Sequence, residues 1–309
     1  MLTTIVKRLL QGILVVIAVM VLVFVLLRLI PGDPTRQLAS MATEEAVQAL
    51  REEMGLNKSI PEQLILYIQN LFRGNLGYSY FQKMNVSEVI VQSARATCQM
   101  LGLAMLSAII MGFIFGLLAA VLHHTWVDRV ISMMCVVFQS LPNYWLAILL
   151  VQLIAVQWRL LPAVGYKGFE YVILPAFILA LPLSGIIGKN IRTNMIGSLN
   201  LDFVKAAKAR GIPGFTSLFG YALRNSLIPI ITLIGSQLGY LVGNSLIVEY
   251  IFSFPGIGLQ TLNAILRRDY FLVQAMVMLI SLVFIIVNTF IDISYLYLDP
   301  RIRKAQGGL

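Results

Sequence analysis

Six apolar stretches, residues 9–30, 97–122, 130–156, 171–191, 227–248 and 271–298, set the limits on what this 309-residue chain can fold into. Each is close to or above the roughly 18 apolar residues that mark a membrane-spanning helix. The whole chain agrees with that reading, at 59% hydrophobic and 12% charged residues, far from the roughly 25% charged residues of soluble domains. The first stretch follows Lys7 and Arg8 and looks at first like a secretory leader. It is longer than the roughly 7–15 residues of a leader's apolar region, and no small-x-small cleavage site follows, so it reads as a retained span. Pro175 and Pro182 are expected to bend the fourth span, because a proline inside a helix removes a backbone donor.

Six spans put both termini on one side, and the charges say which. With the N-terminus inside, the inner pieces are residues 1–8, 123–129, 189–224 and 299–309, and they hold twelve Lys/Arg against Asp128, Asp202 and Asp299. The outer pieces hold ten of each sign, so the net charge of +9 lies inside, as the positive-inside rule requires. A basic balance of this kind signals topology and not nucleic-acid binding, since no aromatic-studded basic face accompanies it. Cys98 and Cys135 have no ligand-like spacing and are expected to be buried small hydrophobes.

The one long segment outside the spans is 31–96. Thr43-Glu44-Glu45 opens a helical pattern through Met54, Gly55-Leu56-Asn57 stops it, and a second helix is expected from Pro61 to about Phe72 before Gly74-Asn75-Leu76-Gly77. The chain therefore divides into 1–30 (N-terminus and first span), 31–96 (an external helical cap) and 97–309 (five spans with an inner loop at 189–224).

Much chemistry is missing. No G-x-x-x-x-G-K-[ST] phosphate loop, H-E-x-x-H or G-x-S-x-G occurs, so no nucleotide site, metal site, cofactor or catalytic residue is expected. His123 and His124 are adjacent, and neighbours on a helix diverge too far to share a metal; a solvated interfacial pair is expected. Energy must then come from another subunit or from an ion gradient. Asp292 is the one strong candidate for an intramembrane charge of the sort a gradient-driven carrier uses. Asn143, Gln152, Gln237, Asn244 and Asn288 are polar groups within spans; most should hydrogen-bond between helices, and a minority line a passage.

Within the inner loop stands Asn200-Leu-Asp-Phe-Val-Lys-Ala-Ala-Lys-Ala-Arg-Gly211. Asn200 suits an N-cap, Asp202 the first turn, and Gly211 a left-handed stop. A helix of about 15 Å is too short to cross a bilayer and marginal alone in water, so it needs something to dock against.

The block from Asp202 to Gly211, followed by Ala222-Leu-Arg-Asn-Ser-Leu-Ile-Pro229, resembles the loop signature of ABC importer permeases. It is most similar to the first permease subunit of the dipeptide/oligopeptide/nickel class. The family's E-A-A-x-x-x-G is met by Lys205-Ala206-Ala207 through Gly211, with lysine in the glutamate position, and Arg224 replaces the proline usual thirteen residues past the glycine. Pro31-Gly-Asp-Pro34, Gly74-Asn-Leu-Gly-Tyr-Ser79, Arg95-Ala-Thr97, Glu249 through Gly258, Asp269-Tyr270 and Leu298-Asp-Pro-Arg301 extend the likeness along nearly the whole chain.

The resemblance implies an all-α polytopic protein of the bacterial inner membrane, with six transmembrane helices, a helical external cap and a cytoplasmic coupling helix. It implies a second permease, two cytoplasmic ATPase subunits and an external substrate-binding protein as partners. Asp202, Phe203, Lys205, Ala206, Ala207, Lys208, Arg210 and Gly211 would form the contact with an ATPase. Ala206 and Ala207 would let backbones approach, and the cations would pair with acidic groups. The alternative for such cations is attraction to anionic lipid headgroups, worth about 1 kcal/mol each, a role that suits Lys189 and Arg192. The implied cargo is a di- or oligopeptide; nickel or a metal chelate is the alternative, and a gradient-driven carrier the competing class.

Overall fold

The computed structural model describes residues 2–31, 34–35 and 43–298, without the side chains of 2–7, 9, 208, 228 and 290–298. Asp292 and the motifs at 31–34 and 298–301 therefore fall wholly or partly outside the described residues. The chain forms two compact units, one of residues 1–97 and 255–286, the other of 98–254 and 287–309.

The first unit begins with α1 (Leu2–Leu29), whose apolar part is long enough to cross a membrane. Two short helices follow where the sequence placed them, α2 (Glu44–Glu53) and α3 (Ile60–Phe72). Their starts are chemically specified. The Thr43 hydroxyl accepts from the Ala46 N–H, and Ser59 and Glu62 form a reciprocal capping box, each device satisfying donors that the first helical turn leaves free. Gly55, at φ +68°, ends the α2 segment. A hairpin of β1 (Tyr78–Ser79) and β2 (Met84–Asn85), pairing Tyr78 with Asn85, was not legible from the sequence. It leads into α4 (Val86–Val121), and α10 (Ile257–Leu266) and α11 (Tyr270–Leu298) complete the unit. Val86, Val89, Leu272, Val273 and Met276 pack with Leu27 in one cluster, and Met20, Phe24 and Tyr67 join α1 to α3 in another. The Arg28 guanidinium lies 3.3 Å above the Phe24 ring, and its Nε donates to Gln63 at 2.7 Å. Asp269 caps α11 by accepting from the Leu272 N–H at 3.2 Å, and holds the hairpin by accepting from the Ser79 hydroxyl at 2.5 Å.

The second unit is built around α7 (Glu170–Leu199), the most buried of the membrane-length helices described. Pro175 and Pro182 both lie inside it, and the helix assignment continues through them. Each proline removes one donor, and Leu174, Ile178, Leu183, Ile187 and Ile191 bury α7 along its length. The break falls one span earlier. The segment read as a single third span is α5 (Trp126–Ser140) and α6 (Asn143–Leu150), the latter running through a π-helical turn at Val151–Gln157, with a bend of 101° between them. Leu141, just before Pro142, is extended at ψ 127°, the conformation that a following proline imposes. Close approach of α5 and α7 depends on Gly185, where an added Cβ would fall onto the Cys135 carbonyl oxygen. Cys135 is buried as expected, whereas Cys98 is exposed.

Beyond α7 come α8 (Asp202–Ala209), a short turn at Gly214–Thr216, a π-helical segment Ser217–Leu223 and α9 (Arg224–Ile251). The described chain is a multi-pass all-α membrane protein, with five membrane-length helices, or six if the bent α5–α6 pair counts as one.

Candidate coupling site

The short cationic helix is present, with its start displaced from the expected one. Asn200 closes α7, and its N–H bonds to the Gly197 carbonyl at 3.3 Å. The Leu201 carbonyl accepts from Val204 and Lys205 at 3.0 and 3.1 Å, so Leu201 opens α8 in place of Asn200. The helix is correspondingly shorter, eight residues or about 12 Å. Asp202 sits in its first turn, 3.4 Å from the Lys205 ammonium, and both are exposed. Gly211 at φ +79° provides the expected left-handed stop, after the Ile212 N–H bonds back to the Ala207 carbonyl at 3.2 Å.

The helix has two distinct faces. Val204 is 0% exposed and Ala207 5%, both turned into the protein. Phe203, Lys205, Ala206, Arg210 and Gly211 are exposed, and the Lys208 side chain lies outside the described residues. Ala207, which the resemblance placed at an intermolecular contact, thus serves the fit of α8 against its own chain. Val204 was missed from sequence, although it is the only β-branched residue of the helix.

What carries α8 is a polar staple between the two helices that flank it. Ser226 Oγ on α9 lies 2.9 Å from Ser198 Oγ and 3.1 Å from the Asn194 carbonyl on α7, and the Asn225 amide donates to Ser198 Oγ at 3.1 Å. Ser226 and Ser198 are both buried. Earlier on α7, Arg192 makes a bidentate pair with Asp128 of α5, Nε to Oδ1 at 2.5 Å and Nη2 to Oδ2 at 2.8 Å. Ser132 and the His124 N–H also donate to Asp128, and His123 Nδ1 lies 3.1 Å from its carboxylate. Arg192 is therefore committed to a buried carboxylate and is not a headgroup anchor, and His123 is a member of the same cluster and not a freely solvated residue. The signal for this was available: Asp128 is one of only three acids in the basic loops.

The geometry presents a short helix with exposed cations and an aromatic ring, seated on a frame cross-linked at two levels.

Known proteins resemble this chain along nearly its whole length. Residues 112–304 match the family described as binding-protein-dependent transport system inner membrane component, and residues 1–101 match the N-terminal region of the same class of membrane component. A probable peptide ABC transporter permease protein of Sinorhizobium fredii is 35% identical over 308 residues, covering 97% of this chain and 98% of that protein. Glutathione transport system permease proteins of Pectobacterium atrosepticum and Salmonella typhi are each 34% identical over 304 residues, covering 98% of this chain and 99% of theirs. The crystal structure of an amino acid ABC transporter with histidines shares the fold, at TM-score 0.53 and 18% identity, over 69% of this chain and 94% of that one. The chain belongs to the binding-protein-dependent inner-membrane permeases of ABC importers, in their dipeptide/oligopeptide class.

Proposed function

We propose that this permease forms half of a translocation path for a di- or oligopeptide, completed by a second, homologous permease and fed by an external substrate-binding protein. Two cytoplasmic ATPase subunits drive it, and α8 is the coupling helix seated in a cleft of one of them. The termini and the α7–α9 connection lie in the cytoplasm, a reading that the charge distribution supports. The observation that carries the reading is the division of α8 into a buried face, Val204 and Ala207, and an exposed one, Phe203, Lys205 and Ala206, with Arg210 exposed just past its end. A helix held by its apolar side and presenting cations and an aromatic ring is shaped to dock. Peptide cargo is supported by the near full-length similarity to a probable peptide permease and to glutathione permeases. Nucleotide chemistry belongs to the ATPase partners, since this sequence carries no phosphate loop.

The test is a single cysteine at Ala206, with Cys98 and Cys135 replaced by serine, cross-linked in native membranes. Capture of a soluble ATPase-sized subunit, with the site shielded from impermeant reagents applied outside, is the expected result. Labelling from outside, or full accessibility without a partner, would reject the coupling role and favour a gradient-driven carrier.

A further inference from the structure

Of the membrane-length helices described, α9 is the least apolar and the least buried. Four of its polar residues share one face. Ser236, Tyr240 and Asn244 recur every four positions, with Gln237 beside them, a spacing that stacks side chains on one side of a helix. Ser236 and Tyr240 are exposed and Asn244 and Gln237 partly so, and at Gly243 an added Cβ would meet nothing within 4 Å. Three of the donors are occupied locally, the Gln237 amide by Ser236 Oγ at 3.5 Å. Ser236 Oγ donates to the Leu233 carbonyl at 2.7 Å, and the Asn244 amide to the Tyr240 carbonyl at 2.9 Å.

At one end of this stripe stands Asn143, the first residue after the 101° elbow between α5 and α6. Its amide donates to Asn244 Oδ1 at 2.9 Å. Asn143 is 6% exposed, and its own Oδ1 is buried with no hydrogen-bond partner among the described residues. A buried amide carbonyl left without a donor is unfavourable by about 1–3 kcal/mol. An acceptor kept in that condition beside a row of neutral polar groups is placed to take a donor from a bound molecule.

We propose that Ser236, Gln237, Tyr240 and Asn244 of α9, with Asn143 at the elbow, line a water-filled passage and bind peptide cargo through its backbone amides. The proposal rests on the importer reading above and names where cargo touches this chain. Hydrocarbon is a poor occupant for the face, because lipid satisfies none of these groups. A free cation or anion is also a poor match, because the stripe carries no charged side chain. Peptide groups offer alternating neutral donors and acceptors, common to every sequence, and an N–H of that kind completes the Asn143 carbonyl. Contact through the backbone alone admits cargo of varied side chains. Since Asn143 follows the bend directly, movement at the elbow breaks its bond to Asn244 and opens its acceptor to the passage.

The experiment uses the full importer in native membranes, with Cys98 and Cys135 replaced by serine and single cysteines at Ser236, Tyr240, Asn244 or, on the opposite exposed side of α9, Ile231. The probe is the charged thiol reagent methanethiosulfonate ethyltrimethylammonium, with and without saturating trialanine. Positions 236, 240 and 244 should react about tenfold or more faster than 231, as water-facing and lipid-facing sites differ, and trialanine should slow 240 and 244. Equal rates on the two sides would overturn the passage, and labelling indifferent to trialanine would overturn the cargo contact. Tyr240→Phe, which removes only a hydroxyl, should lower trialanine uptake several-fold while leaving the Ala206 cross-link intact; unchanged uptake would count against the proposal. Failure of these results with the cross-link preserved rejects this site alone, whereas loss of the cross-link in the otherwise unaltered importer rejects the coupling reading.

Discussion

Asp128 is the residue on which the frame of α8 most depends. It is 3% exposed and receives Arg192, His123, Ser132 and the His124 N–H. Removing one partner of a buried pair leaves an uncompensated charge and is destabilising by about 3–5 kcal/mol, while removing both is far milder. Arg192→Ala should therefore destabilise the purified protein strongly, and Asp128→Ala combined with it should recover a large part of the loss, as a double-mutant cycle on thermal unfolding will read. Arg192→Lys should restore little, because an ammonium cannot reproduce the bidentate geometry. Asp269 behaves differently. Burial, opposed by bonds from Ser79, Leu272 and Phe81, raises its carboxyl above the ordinary value. A raised acid binds its proton more tightly in the folded state, so its contribution to stability is fullest below the ordinary carboxylate pKa of about 3.9 and is lost as pH rises through the raised value. Asp269→Asn should flatten that part of the stability–pH curve, measured by thermal unfolding between acid and neutral pH. The scarcity of acids in the basic loops marks Asp128 in the sequence, but neither its partner nor that of Asp269 was legible there. Asp128 and Arg192 are 64 positions apart, and Ser79 and Asp269 are 190; spacing rules reach three or four residues along a helix, not across a fold.

At the scale of elements the local signals read well and the long-range ones did not. The stops at Gly55 and Gly211 and the start at Thr43 appear where turn and cap chemistry placed them, because each is decided within four residues of chain. The elbow in the third span was missed for a related reason. Pro142, Pro175 and Pro182 carry the same local penalty, and packing decides which of them interrupts its helix. α7 is clasped on nearly all sides and its helix continues through both prolines, whereas the exposed α5–α6 pair breaks with a bend of 101°. The start of α8 was misread because Asn200 suits an N-cap and a helix C-terminus alike, and the length of α7 settled the matter. The hold on α8 makes a prediction that its exposed residues cannot. Val204→Ala removes two methyl groups from a site with 0% exposure and should loosen the helix by about 1–2 kcal/mol. The yield of the Ala206 cross-link should drop without any change in the docking residues, and Val204→Ile should retain more of it than Val204→Ala. If cross-linking is insensitive to Val204, the partner and not the frame holds the helix.

For the whole molecule, the fold class and the number of spans follow from hydropathy alone, since a bilayer admits so few ways to satisfy a buried backbone. What hydropathy does not give is which faces meet lipid and which meet protein or water. That information lies in the difference between spans. α7 is mostly buried within the chain, and α9 is both largely uncovered and comparatively polar. A membrane-length helix with Gln237, Tyr240 and Asn244 on an open face is poorly served by lipid. Its stability accordingly draws on whatever covers or hydrates that face. A partner that binds only the folded form raises apparent stability by an amount that grows with its concentration, about 2.7 kcal/mol at a hundredfold excess over its dissociation constant. The permease purified with its second permease should therefore unfold at a clearly higher temperature than the same chain alone in the same detergent, and the gap should narrow on dilution. Replacing the stripe's outer groups with apolar residues, Gln237→Leu with Tyr240→Phe, leaves the Asn143–Asn244 bond intact and should raise the stability of the isolated chain in lipid while lowering uptake by the assembled importer. Opposite signs for stability and transport are the signature of a face selected for a passage. A face serving only to pack against a neighbouring helix would lose both together.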